Sequence, residues 1–478
     1  MASSTHTSYG AIVIGSGPNG LAAAITLARA GKSVLVIEAA DTIGGGTRSA
    51  KLTLPGFTHD ICSAVHPLAI GSPVFRAWPL HEHGLEWIYP DVPLAHPLDG
   101  DRAAVLHRSL EQTATELGVD AASYRRHLAP LTANFENIVA DLLGPPKMPA
   151  HPIAAIKFAA WAARSARSVA DAWFQGEPAR ALLAGLAAHS FLPMETAPSA
   201  AIGLVLAMAA HAVGWPIPRG GSQRIADALA SYLRSLGGQI VTGWRVKTLD
   251  ELPPARAILC DTSPRELIHI AGAQLSPRYR AALSRFRYGP AAFKLDWALS
   301  GPIPWRSPAC RRAGTIHIGG TFAEVAAAER ACWYGQIHDR PFVLLAQPSL
   351  FDPTRAPPGQ HTAWAYAHVP HGCTIDMTDR IESQIERFAP GFRDLILARH
   401  VFSPADLERH NPNLIGGSIT GGLPDFRQVI ARPVLKWNPY ATPRPGLYIC
   451  SASTPPGAGV HGLCGYFAAR AAMKRVFS

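Results

Sequence analysis

Read as apolar and polar positions, the chain opens on a continuous apolar run, "AIVIG", ending at Gly15. A segment with helical spacing, "NGLAAAITLARAGK", follows, and then a second apolar run, "SVLVIEAA". Continuous apolar runs on either side of a helix predict parallel strands buried on both faces. Residues 1–39 therefore read as a complete βαβ unit. From about residue 101 to 214 the pattern is Ala-rich and helical, broken by "GPPKMPAHP" and "FLPMETAPS". After "WPIPRGGSQ", the helical "RIADALASYLRSLGG" leads to "QIVTGWRVKTL" and "ARAILCDTSPREL", a return to α/β texture. The stretches "AAFKLDWAL", "GTIHIGG", "PFVLLAQPSL" and "HTAWAYAHV" alternate or run apolar with β-branched and aromatic residues, and predict strands. "RIESQIERFAPGF" interrupts them as an amphipathic helix, and the chain closes on strand "GLYICSAS", loop "TPPGAGVHG" and helix "YFAARAAMKRV".

Strand, glycine loop and helix thus occur at both ends, with α/β material between and two blocks of different texture inserted. The layout predicts an α/β protein with a discontinuous Rossmann-type domain and an inserted mixed α+β domain. Its expected boundaries place the first domain at 1–70, 215–285 and 431–478. The inserted domain takes 71–214, mainly helical, and 286–430, a mixed sheet. A length of 478 residues is too great for one simple core and suits this division.

Composition narrows the classes. With 48% hydrophobic and 16% charged residues the chain is globular, not disordered. Net charge is +10, yet no run of five Lys or Arg concentrates it, so no nucleic-acid partner is expected. An anionic membrane surface stays compatible with that charge. Seven cysteines, an odd number without a CxxC, argue against a disulfide framework or a zinc ribbon and for a reducing compartment. "MASSTHTSYG" is neither signal nor transit peptide. The most apolar run, "AAIGLVLAMAAHAVGW", falls short of the ~20 residues a membrane span needs and reads as a buried helix. A cytoplasmic protein, or one loosely attached to a membrane surface, is expected. "IAAIKFAAWAARSARSVADAWF" sets Lys157, Arg164 and Arg167 on one broad helical face; an interfacial helix and an ordinary surface helix both account for it, Asp171 favouring the second.

Gly15, Gly17 and Gly20 follow a strand and open a helix, the context that gives G-x-G-x-x-G its meaning. The first glycine allows the tight turn, the second lets backbone approach a pyrophosphate, and the third lets helix pack on strand. The anion would sit on the helix N-terminus. Glu38 ends the second strand, 18 residues beyond Gly20, where a carboxylate accepts from ribose hydroxyls and repels a 2′-phosphate. Just past it, "DTIGGGTRS" offers a second glycine loop (Gly44, Gly45, Gly46) with Arg48 as a phosphate donor. A third loop, "PPGAGVHG", carries Gly457, Gly459 and Gly462, and the N–H of Val460 could meet a ring carbonyl there. It has no strand and acid after it, so it is not a second nucleotide site. No NAD(P)H domain is legible elsewhere.

These residues carry a resemblance. "IVIGSGPNGLAAAITLARAGKSVLVIEAADTIGGGTRSA", "TLPGFTHDICSAVHPL" and "GLYICSASTPPGAGVHGLCG" resemble the phytoene-desaturase-related branch of the flavin amine oxidase superfamily. The nearest part of it is the group akin to pyridine nucleotide-disulphide oxidoreductase domain-containing protein 2. The resemblance extends more loosely through "GWPIPRGGSQRIADAL", "DTSPREL", "FKLDWAL" and "QIERFAPGF". It implies one FAD, held by Gly15, Gly17, Gly20, Glu38, Gly45 and Arg48 at the ADP half. Val246 would stand beside the adenine, and the Gly457–Gly462 loop would hold the flavin from the other end of the chain. A helix N-terminus at the flavin's pyrimidine edge suits charge that develops there on reduction.

The implied activity is an FAD-dependent oxidoreductase acting on a C–C bond of a largely apolar substrate, polyene or isoprenoid, by desaturation, saturation or isomerisation. Amine oxidation at a C–N bond, and a non-enzymatic lipid-binding scaffold of the same fold, are the alternatives. Electrons would leave to oxygen, a quinone or another diffusible acceptor. His66 and His461 are the candidate catalytic residues; a structural, hydrogen-bonded role explains His66 as well. No metal is expected. In the loop "NPNLIGGSITGG", where relatives tend to carry an Asp, Ser418 and Thr420 stand instead.

Overall fold

A computed structural model of the chain describes residues 8–145 and 147–478. Two sheets organise it. The apolar runs at both ends and in the middle of the chain meet in a five-stranded parallel sheet. Its strands are β1 (Tyr9–Ile14), β2 (Val34–Ile37), β9 (Gln239–Val241), β10 (Ala255–Cys260) and β16 (Leu447–Ile449), in the order β16-β10-β1-β2-β9. Strands distant in sequence thus become neighbours: Ile12 pairs with Ile258, and Ile258 with Leu447. Both faces are buried, as continuous apolar strands require. Ala11, Val13, Val34 and Val36 pack under the helices Pro18–Arg29, Gln223–Ser235 and Leu463–Val476. Ile12, Ile14, Leu35 and Ile37 pack against Val246, Leu249 and Leu267. The expected α/β class with a Rossmann-type domain is what the structure has.

The second sheet is mixed and seven-stranded. It comprises β6 (Val92–Pro97), β7 (Ala103–Leu106), β11 (Ala291–Leu299), β12 (Ala313–Ile318), β13 (Val343–Ala346), β14 (His361–Val369) and β15 (Ile396–Phe402). Their order is β15-β11-β14-β13-β12-β6-β7, antiparallel except for the β12–β6 pair. Short ribbons lie between the sheets: β3 (Ser49–Ala50) with β4 (His59–Asp60), and β5 (Trp87–Ile88) with β8 (Ile217–Pro218). Each face of the large sheet has its own core. Phe293, Leu295, Trp297, Leu345, Ile316 and Ile318 face the Thr378–Phe388 helix through Ile381, Ile385 and Phe388. Leu344, Trp364, Tyr366 and Phe402 face the helices Glu177–Ala188 and Ala200–Ala212.

Two details differ from the pattern-based reading. The segment 101–214 is not helical from its start, because β7 completes the edge of the large sheet there. The long basic run is two helices, Pro152–Ala162 and Ala166–Trp173. Ser165 separates them as an N-cap whose side chain accepts from the Ser168 N–H, so no single face carries Lys157, Arg164 and Arg167.

Candidate functional site

The first glycine loop does what its spacing requires. Gly15 ends β1 at φ +100°, a conformation open to glycine, and its N–H donates to the Ile37 carbonyl at 2.8 Å. A Cβ on Gly20 would stand 2.1 Å from the Gly15 carbonyl oxygen, so helix lies on strand only with glycine there. Gly17 caps the Pro18–Arg29 helix without a side-chain hydrogen bond, and no acid lies in the first turn. That leaves donors for an anion. The second loop rests on the first: a Cβ on Gly45 would be 3.1 Å from the Gly17 Cα, and the Gly44 N–H donates to the Ser16 carbonyl at 3.1 Å.

Glu38 is buried where the two loops meet. Its carboxylate accepts from the Ser16 N–H at 2.9 Å, the Ser16 hydroxyl at 2.6 Å, the Ala40 N–H at 2.9 Å and Arg48 Nη2 at 3.0 Å. Arg48 is equally buried and also donates to the Thr42 carbonyl. The segment bearing Val246, just past β9, returns alongside, the Trp244 N–H donating to the Glu38 carbonyl at 2.9 Å. Val246 itself is buried in the core under that side of the sheet.

The C-terminal loop reaches the same place from the opposite end of the chain. A Cβ on Gly465 would lie 1.7 Å from the Asn19 carbonyl oxygen, so the Leu463–Val476 helix touches the first turn of the N-terminal helix backbone to backbone. Gly462 caps it, again with no side-chain hydrogen bond and no acid in the first turn. Gly457 backs onto the buried Arg432 guanidinium, which donates to the Thr420 and Gly422 carbonyls. A Cβ at Gly459 would come within 2.8 Å of Leu68. Val460 is half-buried beneath the same helix. Three glycine loops therefore converge, and with them two helix N-termini whose cap residue is a glycine. A dinucleotide fits this donor set, spanning from Glu38 to the Gly457–Gly462 loop.

The histidines are fixed, not free. His66 Nε2 hydrogen-bonds the Ser222 hydroxyl at 2.8 Å while its Nδ1 has no partner. His461 Nδ1 accepts from the Leu463 N–H at 3.0 Å, and its Nε2 has none. Burial lowers both to about 4, so both rings are neutral at ordinary pH and offer a nitrogen lone pair or N–H, not a proton from imidazolium. Ser418 lies in a buried loop and donates to the Tyr288 carbonyl.

Sequence reasoning missed three groups. The first is Asp261, just after β10, which accepts from the Gly20 N–H at 2.8 Å. Burial, opposed by the Gly20 N–H and reinforced by the nearby Glu38, raises its carboxyl to about 7, so Asp261 takes up a proton among the glycines as pH falls below neutral. The second is Lys294 paired with Asp296 on β11, beneath the rings of Trp364 and Phe402 at 5.7 and 5.5 Å. Burial lowers Lys294, with Asp296 pulling the other way, and raises Asp296 to about 6. Its signal was visible: in "FKLDWAL" Lys and Asp alternate with Phe, Leu and Trp, so one strand face is charged. The third is the Asp60–Arg355 ion pair at 2.8 Å, joining residues 295 apart, which no local pattern announces.

These groups adjoin the second glycine loop. His59 Nδ1 lies 3.7 Å from Asp296, Asp60 accepts from the Ser49 hydroxyl and the Ser222 N–H, and the Ser63 N–H donates to the Gly46 carbonyl. Cys62, between them, is pushed up to about 11 by burial and stays a thiol. The loop that follows Glu38 thus hands the chain directly to the charged face of the large sheet.

Fold and site define a class: an FAD-dependent oxidoreductase built on a Rossmann-like dinucleotide-binding domain. The family model of the NAD(P)-binding Rossmann-like domain matches residues 13–78. The chain is similar to pyridine nucleotide-disulfide oxidoreductase domain-containing protein 2 of Rattus norvegicus, 26% identical across 96% of this chain and 92% of that protein. It is also similar to the lycopene-forming phytoene desaturase of Pantoea ananas, 27% identical across 95% of this chain and 96% of that one. Among solved structures, putrescine oxidase bound to putrescine shares the fold, with a TM-score of 0.63 and 15% identity over 99% of this chain and all of that one. The resemblance read from the motifs therefore holds along the whole chain.

Proposed function

We propose that the protein oxidises, reduces or isomerises a C–C bond of a largely apolar substrate, of polyene or isoprenoid type. The observation that carries this reading is the charge state of the wall facing the glycine loops. Among the described residues there, Asp296 is engaged by Lys294, Asp60 by Arg355 and Glu329 by His368, and around them stand Trp364, Tyr366, Phe402 and Leu344 with the buried imidazoles of His317 and His96. A wall whose carboxylates are each already engaged by a neighbouring side chain offers none free to an ammonium and suits apolar surface. The name of the Pantoea ananas relative points the same way.

In this reading Gly15, Gly17, Gly20, Glu38, Gly45, Arg48 and Val246 hold the ADP half of FAD. Gly457, Gly459, Val460 and Gly462 hold the flavin end. When bound, FAD supplies the acceptor for a hydride. The chain's own work is to bind and orient the substrate between Trp364, Tyr366 and Phe402 and to exclude water. Lys294 Nζ and Asp296 hold the accompanying proton. His66 and His461 serve as neutral hydrogen-bonding walls. Residues 1–70, 215–285 and 431–478 form the cofactor domain; 71–214 and 286–430 form the substrate domain. The substrate is a hydrophobic small molecule, and a diffusible acceptor takes the electrons.

Amine oxidation is the second reading, favoured by Lys294: a lysine whose basicity burial has lowered is a proton acceptor suited to a C–N bond. Anaerobic mixing with isoprenoid polyenes and, separately, with primary amines distinguishes the two. Bleaching of the flavin band by a polyene alone is expected; bleaching by amines alone would reverse the order. A purified protein that neither carries nor takes up FAD would remove both.

A further inference from the structure

A proton held by Lys294 and Asp296 must reach water on each turnover, yet these side chains belong to residues only 2% and 0% exposed. Lys294 donates to Asp296 Oδ2. The other carboxyl oxygen, Oδ1, has no hydrogen-bond partner. Opposite it, at 3.7 Å, stands Nδ1 of His59, buried and equally without a partner. Buried polar atoms left open are rare, and here two of them face each other.

The far side of the same ring leads outward. His59 Nε2 meets the Thr53 hydroxyl at 2.8 Å. Thr53 is half-buried in a loop whose Lys51, Leu54, Pro55 and Gly56 are exposed. Other ways out of the pair are not connected. Asp60 and Arg355, the charged groups nearest His59 besides Lys294, are engaged with each other. The cross-strand neighbours of Asp296 are Trp364 on β14, which carries no exchangeable acid, and His400 on β15. His400 is half-buried, and its Nδ1 has no hydrogen-bond partner.

Burial, with the cations of Lys294 and Arg355, lowers His59 to about 3 and keeps the ring neutral. With its hydrogen on Nε2, a neutral imidazole donates to Thr53 and turns a lone pair toward Asp296. Such a ring conducts without storing charge, taking a proton at Nδ1 as it releases one at Nε2.

We infer that His59 and Thr53 form the proton path between the Lys294–Asp296 pair and solvent. The inference rests on the reading of that pair as holder of the substrate's proton. When that proton is on Asp296 Oδ1, the O–H bond breaks and an N–H bond forms at His59 Nδ1. The Nε2 proton passes to the Thr53 hydroxyl, and the hydroxyl's own proton goes to water. The pair ends one proton poorer and water gains one, while His59 and Thr53 hold as many as before. No electrons are transferred along this path.

The test follows exchange of the Asp296 proton in the full chain. Infrared difference spectra are taken at pH about 5, below the value of about 6 to which burial raises Asp296. The carboxyl band is assigned by its loss in Asp296→Asn, and mixing with heavy water shifts it as a deuteron replaces the proton. Exchange is expected to slow about a hundredfold in His59→Gln, which keeps an amide for Thr53 but cannot pass a proton on. Thr53→Val should slow it comparably, and His400→Phe should leave it unchanged. In His59→Gly, added imidazole should restore the rate; N-methylimidazole, which fills the same space with one nitrogen blocked, should not. An unchanged rate in His59→Gln, slowing in His400→Phe alone, or equal restoration by both imidazoles would each overturn the path. The readout needs no substrate, so it decides the path whether or not a polyene bleaches the flavin.

Discussion

The two faces of the seven-stranded sheet are made by the same strands and differ in kind. On the side of the Thr378–Phe388 helix, β11 presents Phe293, Leu295 and Trp297, β13 presents Leu345 and β12 presents Ile316 and Ile318. On the other, the same strands present Lys294, Asp296 and His317; β14 adds His368 and β6 adds His96, all buried. Burying charge and imidazole carries a desolvation cost that an aliphatic side chain avoids. A sheet that needed only to fold would have made both faces like the first. The second face is therefore where the fold gives up stability, a cost the proposed function assigns to chemistry, and it is the face turned to the glycine loops.

Breaking the charged face should have the largest effect. Lys294→Met is expected to lower substrate-driven flavin bleaching about a hundredfold, the scale on which a positioned proton-transfer group acts. It should also destabilise by about 3 kcal/mol, because Asp296 is left buried without its partner. Adding Asp296→Leu should recover the stability in thermal unfolding and leave turnover lost. If the double variant regains turnover, the pair is structural only.

The opposite face should give the converse. Leu295→Ala, one position along the same strand, is expected to cost about 3 kcal/mol through the cavity it leaves. Turnover per folded molecule should stay near wild type. Loss of turnover at full stability would erase the distinction between the faces.

Titration separates them further. Burial lowers His59 to about 3, His96 to about 4 and His189 to about 3, and takes His317 well below its ordinary value, with His189, His96 and His368 as further causes. Folded pKa values below the unfolded one mean that the unfolded chain binds more protons as pH falls below about 6.5. The stability of the neutral cluster is present above that pH and is lost on the way down to about 4. The thermal midpoint should fall by several degrees between pH 7.5 and 5. His189→Phe, which removes one such group beside His317 at 3.1 Å, should make the fall shallower.

The smallest effect has the opposite sign. The Asp261 carboxyl is raised to about 7, so its contribution is present at low pH and is lost as pH climbs from about 4 to about 7. Asp261→Asn should leave the midpoint near wild type at pH 5 and raise it by a few degrees at pH 8. An equal shift at both pH values would mean that the carboxyl is not protonated in the fold.

Much of the dinucleotide site was legible. Gly15, Gly17, Gly20 and Glu38 lie within one βαβ unit, where local spacing dictates geometry; Arg48 and the Gly457–Gly462 loop stood out as glycine-loop motifs, and the resemblance added Val246 and the joining of the loops on one FAD. The charged face was half legible. The period-two alternation in "FKLDWAL" marks Lys294 and Asp296 as sharing a side, but read as an apolar strand it gave no reason to look at them. Asp261 was hidden for a different reason. Nothing beside it in sequence predicts that β10 will run next to β1 and set its carboxyl on the Gly20 N–H, 241 residues away.

By itself the sequence determined what periodicity and short-range spacing control: parallel strands from continuous apolar runs, the helix that opens on Gly17, the α/β class and the dinucleotide site. Tertiary structure alone decided which strands became neighbours and which face of the large sheet met the glycine loops. It also decided that the Asn19 carbonyl and Gly465 would touch, joining the two ends of the chain in one site. Local patterns fix which side of a strand or helix is apolar. Which partner buries that side is settled by packing among segments hundreds of residues apart, and the placement of buried charge in this protein follows from it.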